Sequence, residues 1–142
     1  MSVIVSSESS DNYRQRIEVD ERHELYTDLP TSAGGEGSAP DPHDYFDVAL
    51  GTCKALTVTR YARDKGIPLT GVSVEVSHDG SEERQGRQGR YALSVVLTLK
   101  GSLTAEQRAS LLRVADKCPL HKLMTTAEVS IDTQLSEGAF SQ

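Results

Sequence analysis

"PDPHDYFDVALGTCKALTVTRYARDKGIPL", from Pro40 to Leu69, reads as one long helix with a cysteine at its centre. Asp41 is a good N-cap, and Pro42 suits the first helical position, where a backbone N–H would have no partner anyway. No breaker follows until Gly66 and Pro68, so the stretch predicts a helix of about six turns. Phe46, Ala49, Leu50, Cys53, Leu56, Thr57 and Tyr61 fall at i, i+3, i+4, i+7 spacing, while Val48, Ala55, Val58 and Ala62 populate a second side. Such a helix is buried on more than one side. Gly51, at mid-helix, costs about 1 kcal/mol against alanine. With Ala49, Thr52 and Ala55 beside it, it predicts the close approach of another backbone.

Outward from this helix the periodicity changes. "YRQRIEVD" (13–20) and "HELYTDL" (23–29) alternate as strands around the polar "DER", an N-terminal hairpin. "PTSAGGEGSAPDP" (30–42) is too rich in Gly, Ser and Pro for regular structure and reads as a loop. After the helix, "GVSVEVSHD" (71–79) and "RYALSVVLTLK" (90–100) predict a second strand pair, joined by the charged, glycine-containing "GSEERQGRQG". Thr104 and Gln107 have capping-box spacing before an apolar series that should end near Lys117. Pro119 then breaks that helix and starts a short new one over "CPLHKLMT". "EVSIDTQL" (128–135) is expected as a last strand, and residues 1–11 and 136–142 as flexible tails. Strand pairs and helices in this order are read as one domain spanning residues 1–142.

Composition narrows the function. The 142 residues suit one domain, and 37% hydrophobic with 25% charged residues is an ordinary globular balance. No apolar run approaches the roughly 20 residues of a membrane span. The N-terminus has neither a basic n-region nor an apolar h-region, so the expected location is the cytoplasm, with no membrane partner. A formal charge of −6 disfavours binding to a phosphate backbone, so no nucleic-acid partner is expected.

Two cysteines remain to be explained. With Pro119 at N1, Cys118 sits at an N-cap, where unpaired N–H groups and the helix dipole favour a thiolate. Cys53 lies on the apolar stripe, where a small buried hydrophobe and a reactive thiol are both open readings. Cys118 and His121 share a turn, but the paired CxxC or HxxxH spacing that marks zinc is missing, and no metal is expected.

The long Cys53 segment, followed 65 positions later by "CPLHK" (118–122), resembles the OsmC/Ohr superfamily of osmotically inducible and organic hydroperoxide resistance proteins. The resemblance runs from about Tyr13 to Leu135. It implies an OsmC-like α+β fold, with a long central helix packed against antiparallel sheets in an intertwined homodimer. It also implies a thiol peroxidase that needs no cofactor beyond its cysteines. Cys53 matches the peroxidatic cysteine, oxidised by an organic hydroperoxide to a sulfenic acid. Cys118 matches the resolving cysteine, which forms a disulfide for an external dithiol to reduce. Members with established peroxidase activity add an arginine from the loop before the helix and a glutamate early in it. Here no arginine lies between Arg22 and Arg60, and His43, followed by Asp44, stands at the glutamate's position. His43, Asp44 and Arg22 are therefore the candidate auxiliaries, together with His121 beyond Cys118. The alternative in the same fold is a protein that binds a small apolar ligand at the dimer interface, with weakly catalytic cysteines.

Overall fold

The computed structural model describes residues 2–137. Its spine is α1 (Pro42–Lys65), 24 residues long. Asp41 and Asp44 close a reciprocal capping box: Asp41 Oδ1 accepts from the Asp44 N–H at 2.8 Å, and Asp44 Oδ2 from the Asp41 N–H at 3.0 Å. At the far end Gly66 takes φ 65°, and its N–H reaches the Ala62 and Arg63 carbonyls. Glycine accepts this left-handed geometry without a Cβ penalty.

Helix α1 packs on a long antiparallel hairpin of β4 (Leu69–Glu82) and β5 (Arg90–Gly101). Val74 faces Leu97 across the ladder and Val76 faces Val95, and along much of both strands partly buried side chains alternate with exposed ones. Gly51 faces β4: a Cβ there would meet Val76 Cγ2 at 3.0 Å. The sequence predicts another backbone at this point; the structure places the Val76 and Val74 side chains of β4 there instead.

Helix α2 (Ala105–Ala115) begins with the expected Thr104–Gln107 capping box. Its Leu111 and Ala115 join Val58 and Ala62 of α1 in a core completed by Val72, Leu97 and Leu99 from the hairpin. The chain then turns through Lys117 into α3 (Pro119–Thr125), with Cys118 as N-cap. Replacing Leu111, fully buried, by Ala would remove transfer energy and leave a void, a cost of about 2–5 kcal/mol.

A separate three-stranded sheet holds β1 (Val3–Ser7), β2 (Gln15–Val19) and β3 (His23–Thr27), in that order. Asp20 and Glu21 take φ of 52° and 59° in the three-residue connection from β2 to β3, which the Arg22 N–H closes on the Val19 carbonyl at 3.0 Å. This sheet is tied to α1 by the Tyr45 hydroxyl, which donates to the Tyr26 carbonyl at 2.5 Å, and by Thr27 Oγ1, which donates to Pro40 O at 2.8 Å. The loop between is pinned by buried Asp28, whose carboxylate accepts from Ser38 N–H at 3.0 Å and from the Ser38 hydroxyl at 2.6 Å.

Three expectations differ from the fold. The apolar stripe expected on α1 leaves Phe46 and Leu56 exposed, and the side buried against the hairpin and α2 carries Asp47, Leu50, Gly51, Lys54, Val58 and Ala62, because the sheet and α2 pack on that side. Residues 1–11, expected as a tail, contain β1, which pairs Val3 with Val19 and Val5 with Ile17. A strand so short acquires order from its neighbour's ladder rather than from its own pattern. Residues 128–135, expected as a strand, have no regular structure, with Val129, Ile131 and Leu135 exposed at 62%, 83% and 94%. Strand geometry needs a hydrogen-bonding neighbour, and none of the described strands flanks this segment. Residues 138–142 of the expected C-terminal tail lie outside the described residues.

Candidate functional site

The site builds outward from the middle of α1. Cys53 is half-buried there and Cys118 fully buried at the start of α3; both are free thiols. Cys53 lies near enough to Cys118 to act on its thiol. Cys118 Sγ accepts the His121 N–H at 3.4 Å, as its N-cap position predicts. Burial nevertheless pushes the Cys118 thiol up, and Cys53 adds to the upward push; the His121 N–H and the Lys54 ammonium pull it down without reversing the shift. The cap geometry expected to favour a thiolate at Cys118 is present, and desolvation outweighs it.

Lys54, the residue after Cys53, is 2% exposed. Its Nζ donates to the Ala115 carbonyl at 2.9 Å, lies 3.2 Å from Asp116 Oδ1, and lies 3.0 Å from His121 Nδ1. One cation from α1 thereby ties the end of α2 to the start of α3. With Leu50, Tyr91, Val95 and Met124, Lys54 and His121 wall a cavity of about 370 Å³.

A second polar group lies one turn and more toward the start of α1. The Asp47 carboxylate, almost fully buried, pairs with His78 Nδ1 on β4 and accepts the Tyr91 hydroxyl of β5 at 2.9 Å. Burial and this anionic partner raise the Tyr91 phenol above its ordinary value. The His78 and Tyr91 rings stack at 5.0 Å. His43 lies beside them, its Nε2 2.9 Å from Glu83 Oε2 at the hairpin tip. Hydrogen bonding to Glu83 raises the His43 value above that of an ordinary imidazole. His43, Phe46, Glu83 and Tyr91 line a second cavity of about 410 Å³, and Tyr91 belongs to the walls of both.

The sequence candidates therefore separate. Cys53, Cys118 and His121 are brought together around Lys54. His43 belongs to the neighbouring Glu83–Tyr91 group. Asp44, read as an auxiliary, is occupied in the α1 capping box with Asp41, because the third helical residue is where a carboxylate can reach back to the cap N–H. Arg22 sits at the β2–β3 turn, its N–H bonded to Val19 O at 3.0 Å, and among the described residues its side chain makes no hydrogen bond or ion pair with the cysteine site. Reasoning from the sequence missed Lys54 and Asp47. Both stand on the buried side of α1 with Leu50 at i, i+3, i+7 spacing, and a charged residue on an apolar helix face is the sign that would have found them.

A long helix on an antiparallel hairpin, with one cysteine at mid-helix and the other at the cap of a short following helix, defines a family. The family model for OsmC-like proteins matches residues 35–134, and the chain belongs to that family. Solved structures share the fold at low identity. An OsmC-like protein of Mycoplasma pneumoniae superposes with a TM-score of 0.72 at 13% identity, covering 88% of this chain and 86% of that one. An organic hydroperoxide resistance protein OsmC of Legionella pneumophila superposes at 0.65 and 21% identity, covering 89% and 90%. OhrB of Bacillus subtilis, also an organic hydroperoxide resistance protein, superposes at 0.56 and 18%, covering 89% and 92%. No curated protein matches the chain. Among the described residues no helix is long and apolar enough to cross a membrane.

Proposed function

We propose that the protein is a cysteine-based thiol peroxidase that reduces organic hydroperoxides in the cytoplasm as a homodimer. The observation that carries this reading is the unequal pair of interacting thiols: half-buried Cys53 on α1 and fully buried Cys118 at the cap of α3. Their exposures suit an order of events. The Cys53 thiolate attacks the terminal oxygen of ROOH, the O–O bond breaks, and the alkoxide leaves as ROH after taking a proton. Cys53 is then a sulfenic acid. The Cys118 thiol attacks its sulfur, water leaves with the thiol's proton, and a Cys53–Cys118 disulfide forms. An external dithiol reduces it by exchange and completes the cycle. Protein sulfur carries both electrons, so the reading requires neither metal nor cofactor. Relatives of the same fold named for organic hydroperoxide resistance support the substrate class.

The test is intact-mass analysis after limiting cumene hydroperoxide. Both thiols should be consumed, with a loss of two hydrogens that dithiothreitol restores, and Cys118→Ser should stop at a sulfenic acid that dimedone traps on Cys53. Thiols left untouched by excess peroxide would favour the second reading, a binding protein for a small apolar ligand. The specific observation for that alternative is the cavity of about 370 Å³ whose wall includes Leu50, Leu93, Val95 and Met124.

A further inference from the structure

Lys54 is a lysine almost without solvent, on a helix whose remaining lysine, Lys65, lies in the exposed last turn. A buried ammonium is tolerated only when its donors are used. Here all three have acceptors: the Ala115 carbonyl at 2.9 Å, Asp116 Oδ1 at 3.2 Å and His121 Nδ1 at 3.0 Å. The first of these is one of the last carbonyls of α2, which its own helix leaves unpaired.

The third contact has a chemical consequence. An ammonium carries three N–H groups and no lone pair, so at this contact the imidazole nitrogen must accept. His121 Nδ1 therefore bears no proton, and the ring proton of neutral His121 is on Nε2. His121 lines the cavity of about 370 Å³ together with Lys54, a cavity whose walls include neither cysteine, and the ring nitrogen left free of Lys54 is a donor. The same residue holds its backbone N–H 3.4 Å from Cys118 Sγ. Through one side chain, then, the residue next to Cys53 reaches the ring and the turn that seat Cys118.

We propose that Lys54 is the positioning residue of the cysteine pair, fixing His121 as an Nε2–H donor at the cavity wall and holding the Cys118 cap against α1. The proposal rests on the two-cysteine reading for its purpose, but its geometry is independent of which oxidant the protein meets. It also assigns the chemistry of what His121 meets in the cavity: a hydrogen-bond acceptor rather than a donor.

Long-range 1H–15N spectra of the reduced protein, with His121 assigned by comparison with His121→Gln, read the tautomer directly. The expected pattern is a pyridine-type Nδ1 and a pyrrole-type Nε2. Lys54→Met keeps the length of the side chain and removes its donors; it should give a mixture of tautomers. It should also slow closure of the Cys53–Cys118 disulfide by about ten- to a hundredfold, the usual penalty for a small misplacement of reacting groups. Closure is followed with diamide, which takes up the two hydrogens of the dithiol and needs no peroxidase chemistry. A proton on Nδ1 in the unsubstituted protein overturns the proposal whether or not Lys54→Met folds. An unchanged tautomer and an unchanged closure rate in a folded Lys54→Met overturn it too, leaving Lys54 a structural strut whose loss lowers only the melting temperature. Absence of peroxide turnover alongside the expected tautomer and diamide kinetics defeats the peroxidase reading and supports the role of Lys54.

Discussion

His43 shows what a single substitution at a helix start does to a site's electrostatics. Where the peroxidases that the sequence resembles carry a glutamate, this chain places an imidazole, and a carboxylate arrives from elsewhere, Glu83 at the tip of the β4–β5 hairpin. The pair joins the start of α1 to the connection between β4 and β5. Its titration is predictable in sign. Glu83 favours protonated His43, raising its folded value above the unfolded value of about 6.5. The stabilisation it contributes is complete below that unfolded value and is lost as pH rises through the raised folded one. NMR titration should find the His43 midpoint above 6.5, and Glu83→Gln should bring it down. A midpoint that ignores the Glu83 substitution would show that the contact does not exist in solution.

At the scale of elements, the interface of α1 with β4 is decided by Gly51. A Cβ there would lie 3.0 Å from Val76 Cγ2, tight enough that Val76 must give slightly. Gly51→Ala gains about 1 kcal/mol of helix propensity and spends it on that contact, so its stability should stay close to that of the parent. Gly51→Leu cannot be accommodated between helix and strand and should lose about 1–3 kcal/mol by overpacking. Thermal denaturation measures both. A Gly51→Leu variant as stable as the parent would mean that helix and hairpin are farther apart than described. The N-cap Asp41 and the Thr104–Gln107 box were legible from the sequence because capping is local, side chains and N–H groups within four residues, whereas Asp44, the second member of the α1 box, was read as an auxiliary. The pairing of β4 with β5 was legible for a similar reason, since the two alternating stretches and their connection are contiguous.

The whole molecule leaves much apolar surface uncovered. Val48 and Leu56 of α1 are 52% and 70% exposed, Leu112 of α2 is 61% exposed, and Val3, Ile4 and Val5 form an exposed edge strand. The core of buried residues is small for 142 residues, and a small core with open apolar faces suits a chain completed by a second copy. The proposed homodimer should therefore sediment as a dimer at micromolar concentration, and Leu56→Asp should shift it toward monomer with loss of thermal stability. A folded, stable monomer of the unsubstituted chain would end that proposal. Residues 128–135, with strand-like alternation and no neighbour among the described strands, should gain hydrogen-exchange protection only in the associated form.

What the sequence by itself determined is whatever depends on neighbours a few residues apart: the bounds of α1 from Asp41, Pro42 and Gly66, the break at Pro119, and the cap position of Cys118. Its resemblance to a family added the expectation that Cys118 works with Cys53. The tertiary structure alone decided which charges enter the site. Lys54 was one more polar residue on a long helix until α2 and α3 supplied three acceptors around it, and Asp47 until β4 and β5 brought His78 and Tyr91 to its carboxylate. Burial of a charge is set by partners distant in sequence, because only folding can gather the hydrogen bonds that replace its water.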